Sequence, residues 1–225
     1  MRKPEPWFQL AAWTLRPPVA LWFNWRFEGL EHIPGEGPVL VACNHISYFD
    51  PLAHANMMLK AGRRPRFLTK SELYGNPFLR RLLDGAHQIK VERGTGSAAP
   101  VEAATAALKG DQAVMIYPEA TITTNPDFTP MQGKTGIARL TLASDVPVLP
   151  IAVWGTQAIW QREGLGSLTF GRPVWLKAGA ALDFSEFEGE REDPATLRKV
   201  TDAIMDELTR LVNDLRSRYP KRWQP

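Results

Sequence analysis

The chain has only one cysteine, Cys43, among its 225 residues. A lone cysteine excludes an internal disulfide, and without a second cysteine a thiolate zinc site is excluded as well. A reducing compartment is the natural expectation for such a chain. Cys43 itself lies in a short apolar run, where a small buried cysteine is a better interpretation than a nucleophile.

Long apolar runs are also lacking. A membrane-spanning helix needs roughly 20 apolar residues, and Arg16-Pro17-Pro18 divides the most aromatic stretch of the chain in two. The first 30 residues nevertheless hold four of the eight tryptophans, at positions 7, 13, 22 and 25, with phenylalanines between them. Indole rings favour the boundary between lipid headgroups and acyl chains.

We therefore predict that residues 1–28 form helices that lie in the membrane interface. They would make the protein monotopic or peripheral on the cytoplasmic face of the cell membrane. Two other interpretations remain open. The helices could pack on the domain's own core, or Arg2 and Lys3 could begin a signal peptide, although no small-residue cleavage site follows.

The net charge of +3 is unevenly distributed. A basic block, defined here as residues 60–93, contains nine Lys or Arg, at positions 60, 63, 64, 66, 70, 80, 81, 90 and 93. Such a block attracts phosphates or an anionic membrane surface, or is simply a solvated face. No nucleic-acid-binding module accompanies it, so we expect no nucleic-acid partner.

Apolar runs alternate with helical patterns, which predicts an α/β domain over residues 29–225 with a mostly parallel or mixed sheet flanked by helices. Strands are predicted at 39–43, 66–70, 88–91, 113–117 and 148–153, with a hairpin within 168–177. Helices are predicted at 50–61, 76–84, 98–109, 133–144 and 194–217, the last after an acidic linker, 183–193. The last helix carries one apolar stripe, formed by Leu197, Val200, Ile204, Leu208, Leu211 and Leu215.

Polar residues follow several of these strands. His45 and Asp50 come after the first, Arg93 after the third and Glu119 after the fourth. Because residues just beyond the carboxyl ends of strands face the ligand crevice of an open α/β sheet, we expect these clusters to converge. A histidine followed by a carboxylate five residues later can be a general base with its orienting partner. Asp50 before Pro51 also has the pattern of a helix N-cap, which is compatible with that role.

Four ordered motifs extend this pattern. They read Asn44-His45-x4-Asp50, then Gln88 to Arg93, then Tyr117-Pro118-Glu119-Ala120-Thr121-Ile122, and finally Val146-Pro147-Val148-Leu149-Pro150. With the lead-in from Gly29 to Pro38, they resemble the glycerophospholipid acyltransferases of the 1-acylglycerol-3-phosphate (lysophosphatidic acid) type over about residues 29–157. Three positions depart from that family's motifs: His87 and Ala120 stand where a glycine is usual, and Ile122 where an arginine is usual.

The resemblance implies transfer of a fatty acyl group from acyl-CoA or acyl-carrier protein to the free hydroxyl of 1-acylglycerol-3-phosphate, giving phosphatidic acid. His45 would be the base and Asp50 its orienting partner, with neither a metal nor a further cofactor. Helix-start N–H groups after Asp50 would help to stabilise the oxyanion. Residues implied or offered as substrate-binding are Asn44, Lys70, Arg93, Glu119, Thr121 and Lys134, with Lys70 or Lys134 replacing the charge absent at Ile122.

Alternatives remain at this point. The altered third motif leaves room for another lysophospholipid or a glycolipid as the acceptor. A non-catalytic lipid-binding protein could also use the aromatic N-terminus and the basic block. His32 and His54 are expected in a loop and on a helix surface, and His87 either lines the acceptor site or has a structural role.

Overall fold

A computed structural model describes residues 17–91, 99–190 and 192–224, together with residues 9 and 14. Nine strands lie in this part of the chain: β1 (Asn24–Glu28), β2 (Val39–Cys43), β3 (Pro65–Lys70), β4 (Ile89–Val91), β5 (Ala113–Ile116), β6 (Val148–Trp154), β7 (Trp160–Gln161), β8 (Gly164–Leu165) and β9 (Pro173–Ala178). Seven of them form one sheet in the order β1-β9-β6-β2-β5-β3-β4, and β7 and β8 form a separate hairpin.

The main sheet is mixed. Strands β6, β2, β5, β3 and β4 run parallel to one another, whereas β9 pairs antiparallel with β6 and parallel with β1. The carboxyl ends of the five parallel strands therefore lie along one edge. This confirms the predicted α/β class and places the residues that follow these strands on the same side of the molecule.

Helices cover both faces of the sheet. They are α1 (Asp50–Lys60), α2 (Pro77–Gly85), α3 (Ala99–Lys109), α4 (Gly136–Ser144) and α5 (Pro194–Arg218). Side chains of β2 alternate between two apolar clusters: Val41 packs in the cluster that includes Met57 of α1, and Leu40 in the cluster that includes Leu140 of α4. All five residues of β2 are buried, as expected for a central strand covered on both sides.

The predicted bounds of α5, 194–217, agree with the observed ones to within one residue. Asp193 accepts a hydrogen bond from the main-chain N–H of Thr196 at 2.8 Å, and Pro194 follows as the first helical residue. The predicted apolar stripe is buried along its whole length, at positions 197, 200, 204, 208, 211 and 215. The 3.6-residue period of that stripe was therefore sufficient to place this helix.

The prediction for the N-terminal segment is wrong at its carboxyl end. Residues 24–28 are strand β1, not helix, and Trp25 and Phe27 pack against the core beside the buried Phe23. Polar and apolar residues alternate over positions 24–28, which is the pattern of a strand. These residues pair in parallel with β9. Residues 17–22 are helical. The rest of the predicted helical segment, apart from residues 9 and 14, lies outside the described residues.

The predicted hairpin at 168–177 is also wrong. Only residues 173–178 form a strand, and both sides of that strand are already occupied by β1 and β6. The observed hairpin is β7–β8, closed by residues 162 and 163. In the predicted linker, residues Ser185–Glu190 form a 3-10 turn. None of the helices in the described segments is long and apolar enough to cross a membrane.

Candidate active site

His45 and Asp50 form a hydrogen-bonded pair just beyond the carboxyl end of β2. The distance from His45 Nδ1 to Asp50 Oδ2 is 2.9 Å. The carboxylate of Asp50 is completely buried, whereas 15% of the His45 side chain is exposed. With Nδ1 engaged by a carboxylate, Nε2 is the ring nitrogen left to exchange a proton, as a general base requires.

Four donors surround the Asp50 carboxylate. Besides His45, Oδ2 accepts the main-chain N–H groups of Ile46 at 2.6 Å and Ser47 at 2.8 Å. Oδ1 accepts the hydroxyl of Thr156 at 2.6 Å. Thr156 is fully buried and follows β6. No spacing signal in the sequence identifies Thr156 as a partner of Asp50, because the two residues lie 106 positions apart along the chain.

The predicted capping role of Asp50 is wrong. Its carboxylate points back toward residues 45–47 and makes no hydrogen bond to the helix that follows. The expected oxyanion donors at the helix start are also wrong, since the N–H groups of Leu52 and Ala53 donate to the carbonyl of Phe49. Asp50 is therefore an orienting carboxylate whose donors come from the loop before it.

Asn44 has a different role from the predicted one. It is fully buried, and its side-chain amide makes two bonds to the main chain of Val153. Oδ1 accepts the Val153 N–H at 2.8 Å, and Nδ2 donates to the Val153 carbonyl at 3.1 Å. Asn44 thus extends the pairing of β2 with β6 by one residue and fixes the point where the chain turns into His45. Direct substrate binding by Asn44 is contradicted by this burial.

Two further rings lie beside the His45–Asp50 pair. Tyr117 stacks on it with ring centroids 4.2 Å apart and an angle of 22° between the planes. His54, predicted on a helix surface, is instead fully buried, and its Nδ1 lies 2.9 Å from the carbonyl oxygen of Asp50. The prediction is wrong because His54, one helical turn after Asp50, lies on the face of α1 that packs against the rest of the protein. Burial lowers the pKa of His54 to about 4, so its ring stays neutral.

Glu119 joins two loops through its buried carboxylate. Oε1 accepts the main-chain N–H of His45 at 3.0 Å, and Oε2 accepts that of Met131 at 2.9 Å. Burial raises the pKa of Glu119 to about 7, although the two N–H donors and His45 act in the opposite direction. Glu119 therefore holds the main chain at His45 and at Met131 in fixed positions.

Lys70 and Lys134, two of the cations predicted to bind the phosphate, lie at the same edge of the sheet. Lys70 is exposed at the carboxyl end of β3. Lys134 is exposed as well, and its main-chain N–H donates to the carbonyl of Pro118 at 2.9 Å. Thr121 is exposed and accepts a hydrogen bond from Arg162 at 2.8 Å. Arg93 lies outside the described residues.

The basic block is not a uniform surface. The guanidinium of Arg63 is bonded to the carbonyls of Pro34 and Gly37, both at 2.6 Å. That of Arg66 is bonded to the carbonyls of Ala86 and His87. Both arginines are buried, so they hold loops together instead of facing an anion.

The three motif departures have different structural effects. His87 and Ala120 have φ angles of 53° and 60°, the left-handed region that favours glycine, so the backbone keeps the glycine-like shape without the glycine. Ile122 is buried. An apolar side chain packed inward has therefore replaced a cation at this position.

Cys43 is confirmed as a buried residue. Its side chain has no exposed surface, and burial, with a smaller effect of the Asp50 charge, raises the pKa of its thiol well above the ordinary value. A thiolate nucleophile at Cys43 is accordingly disfavoured.

In the described segments, no group of three or more His, Cys, Asp or Glu side chains is arranged to hold a metal ion.

The raised pKa of Glu119 predicts a pH-dependent stability. The folded protein binds this proton more tightly than the unfolded chain, whose reference pKa is 4.5. The stabilisation is therefore complete below pH 4.5 and is lost as the pH rises through about 7. Glu119→Gln cannot ionise, although it loses one of the two N–H acceptors at every pH. We therefore expect its unfolding free energy to rise relative to that of the wild type as the pH increases from 5 to 8, by at most about 3 kcal/mol. Urea unfolding at several pH values measures this difference.

Glu102→Gln is the matched control, because Glu102 is an exposed carboxylate on α3. Its unfolding free energy should follow that of the wild type at every pH. If the unfolding free energy of Glu119→Gln also changes with pH in parallel with that of the wild type, Glu119 does not bind a proton more tightly on folding.

Comparison with known proteins finds two relatives that carry the same name. The 1-acyl-sn-glycerol-3-phosphate acyltransferase of Cocos nucifera is 24% identical over 186 residues, which cover 81% of this chain but only 56% of that enzyme. The enzyme of the same name from Bacillus subtilis is 24% identical over 190 residues, covering 82% of this chain and 86% of its own length.

The fold is shared with a solved structure. The 1-acyl-sn-glycerophosphate (LPA) acyltransferase PlsC of Thermotoga maritima matches with a TM-score of 0.68 and 24% identity, over 92% of this chain and 78% of that one. The acyltransferase family model matches residues 24–154, from β1 to the end of β6. This match takes in more than half of the chain, including His45, Asp50 and Glu119, and the protein therefore belongs to the acyltransferase family.

Proposed function

We propose that this acyltransferase moves a fatty acyl group from acyl-CoA or acyl-carrier protein to the free hydroxyl of 1-acylglycerol-3-phosphate, producing phosphatidic acid. The observation that carries the proposal is the His45–Asp50 pair, with a buried, fully hydrogen-bonded carboxylate and a partly exposed imidazole. The four ordered motifs and the two relatives that bear this activity's name support the choice of acceptor.

His45 acts as the base. Its Nε2 takes the proton of the acceptor hydroxyl as the hydroxyl oxygen attacks the thioester carbonyl, and Asp50 stabilises the imidazolium that forms. The carbon–sulfur bond then breaks, and the leaving thiolate recovers the proton from the imidazolium. The products are an ester and a free thiol, and no acyl-enzyme intermediate is formed. Stacking on Tyr117 holds the imidazole plane during both proton transfers.

The acceptor's phosphate is proposed to lie beside Lys70 and Lys134, which are exposed at the carboxyl edge of the sheet. Lys70, Lys134 and Arg93 are the residues proposed to bind it, and Glu119 orders the acceptor site through its bonds to two loops.

The burial of Ile122 favours a second candidate, a different lysophospholipid or a glycolipid as acceptor. A non-catalytic lipid-binding role would not require a carboxylate that orients a histidine.

The protein is proposed to sit on the cytoplasmic face of a phospholipid membrane. Leu21 and Trp22 in the helical residues 17–22 are 76% and 45% exposed. They lie next to exposed apolar residues of the loop before β9: Trp22 Nε1 donates to the carbonyl of Leu168 at 2.7 Å, and the Trp22 and Phe170 rings meet edge to face. An exposed apolar patch of this kind suits the lipid interface.

The activity itself is the first test. The purified protein, mixed with acyl-CoA and 1-acylglycerol-3-phosphate, should release free thiol and form phosphatidic acid. His45→Ala removes the base, so kcat should fall by about 10²- to 10⁴-fold. A thiol-reactive dye follows the reaction continuously, and lipid chromatography identifies the product.

His32→Ala is a matched control, since His32 is exposed and its ring contacts the carbonyl of Ala178, away from the site. It should retain wild-type kcat. Full activity of the His45→Ala variant would eliminate the proposed mechanism, and turnover only with a phosphate-free acceptor would favour the second candidate.

Thr156 tests how Asp50 is positioned. Thr156→Val preserves the shape but removes the hydroxyl that donates to Asp50, so a buried carboxylate oxygen loses its partner. We expect kcat to fall by about 10-fold or more, with KM values unchanged, because hydrogen bonds to charged groups contribute about 1.5–3 kcal/mol. Thr156→Ser keeps the hydroxyl and should restore most of kcat. Equal activity of the Val and Ser variants would contradict this role.

Membrane attachment by the N-terminal segment is tested by deleting residues 2–16, which leaves β1 in place. The truncated protein should bind anionic phospholipid vesicles more weakly in a sedimentation assay, since it lacks Trp7 and Trp13 but keeps the exposed Leu21 and Trp22. Its urea unfolding midpoint serves as the control for folding. Vesicle binding equal to that of the full chain would remove these residues from the proposed attachment.

A further inference from the structure

Arg162 lies in the two-residue turn of the β7–β8 hairpin and is exposed. Its Nη2 donates two hydrogen bonds to the loop that follows β5. One goes to the carbonyl of Ile122 at 2.6 Å and the other to the hydroxyl of Thr121 at 2.8 Å. The guanidinium group is thus fixed on the third motif, next to the position that Ile122 leaves without a positive charge.

The same hairpin and the same loop both contact the catalytic segment. The carbonyl of Trp160, two residues before Arg162, accepts the hydroxyl of Ser47 at 2.7 Å and the N–H of Tyr48 at 3.1 Å. The N–H of Thr123, the residue after Ile122, donates to the carbonyl of His45 at 2.8 Å. Arg162 is therefore connected to both sides of the segment that begins with His45.

Arg162 also keeps binding capacity. It forms no ion pair with any carboxylate of the described segments, in contrast to Arg218, which is bonded to both Glu28 and Asp214. Nη2 is used, but Nη1 and Nε have no acceptor among those same residues. A guanidinium fixed through Nη2 keeps its positive charge and the N–H donors of Nη1 and Nε, with which it can bind phosphate oxygens.

We propose that Arg162 binds the phosphate of the acceptor lipid and gives the enzyme its preference for phosphate-bearing acceptors. This inference rests on the proposed function for the identity of the acceptor. Lys70 and Lys134 carry exposed ammonium groups on flexible stems, whereas two hydrogen bonds hold the Arg162 guanidinium in place, so Arg162 is better suited than either lysine to orient the phosphate. Its bonds to Thr121 and Ile122 hold the phosphate site in a fixed position relative to His45.

Calorimetric titration in detergent micelles tests the proposal independently of turnover. The wild type is titrated with 1-acylglycerol-3-phosphate and with the monoacylglycerol of the same chain length. We expect about 10- to 100-fold tighter binding of the phosphate-bearing lipid, in line with hydrogen bonds to a charged group. Arg162→Ala should lose most of this preference without weakening monoacylglycerol binding, and Arg162→Lys should keep part of it.

Lys109→Ala is the charge-matched control, because Lys109 is exposed at the end of α3 and should leave the preference unchanged. A wild type without preference for the phosphate-bearing lipid, or an Arg162→Ala variant that keeps it, overturns the proposal. If Arg162→Ala weakens the binding of both lipids equally, the proposal is also overturned, since Arg162 would then only hold the hairpin in place.

A thiol-release assay on the same samples separates this inference from the proposed reaction. Turnover by the wild type, with a raised KM for the acceptor in Arg162→Ala and an unchanged KM for the acyl donor, supports both. Phosphate preference that depends on Arg162 but comes with no thiol release refutes acyl transfer to this acceptor and leaves Arg162 as a phosphate-binding residue.

Discussion

The buried carboxylate of Asp50 is the constraint on which the site depends. A charged oxygen removed from water is costly unless donors surround it, and here the donors come from His45, the main chain of residues 46 and 47, and Thr156. The loop after β2 must therefore turn its N–H groups inward, and the segment after β6 must bring its hydroxyl to the same point. Satisfying one carboxylate joins the ends of two neighbouring strands and sets the ring of His45 in a single orientation.

Main-chain ladders and side-chain bonds together make the rest of the site rigid. Asn44 continues the pairing of β2 and β6 beyond the last strand residue, and Glu119 bonds the main chain at His45 and Met131. Each of these side chains holds main-chain groups next to the His45–Asp50 pair in place. Such support keeps donors and base in place before the substrate arrives, so little reorganisation is needed during the reaction.

Local patterns in the sequence were enough to predict most of the sheet and all of α5. The apolar stripe of that helix repeats with the helical period, and β2 is a short continuous apolar run of the kind expected for a strand covered on both faces. The His45–Asp50 pair could be predicted for the same reason, because both residues lie within one short segment. Strand β1, the hydroxyl of Thr156 and the guanidinium of Arg162 could not, since each depends on a partner that only the folded chain brings near. Asn44 was found by motif, but its role was misjudged because the motif does not say which way a side chain points.

The pairing of β1 with β9 has a consequence for how the protein is made. Asn24 lies opposite Pro173 in this parallel pair, so β1 lacks the strand with which it pairs until Pro173 has been synthesised. During translation, Phe23 and Trp25 are thus exposed for longer than the residues of β2 and β5, whose pairing needs a shorter stretch of chain. Contacts between such distant residues slow folding. The aromatic residues beside β1 are then the part of the nascent chain that most needs a chaperone or a lipid surface to cover it.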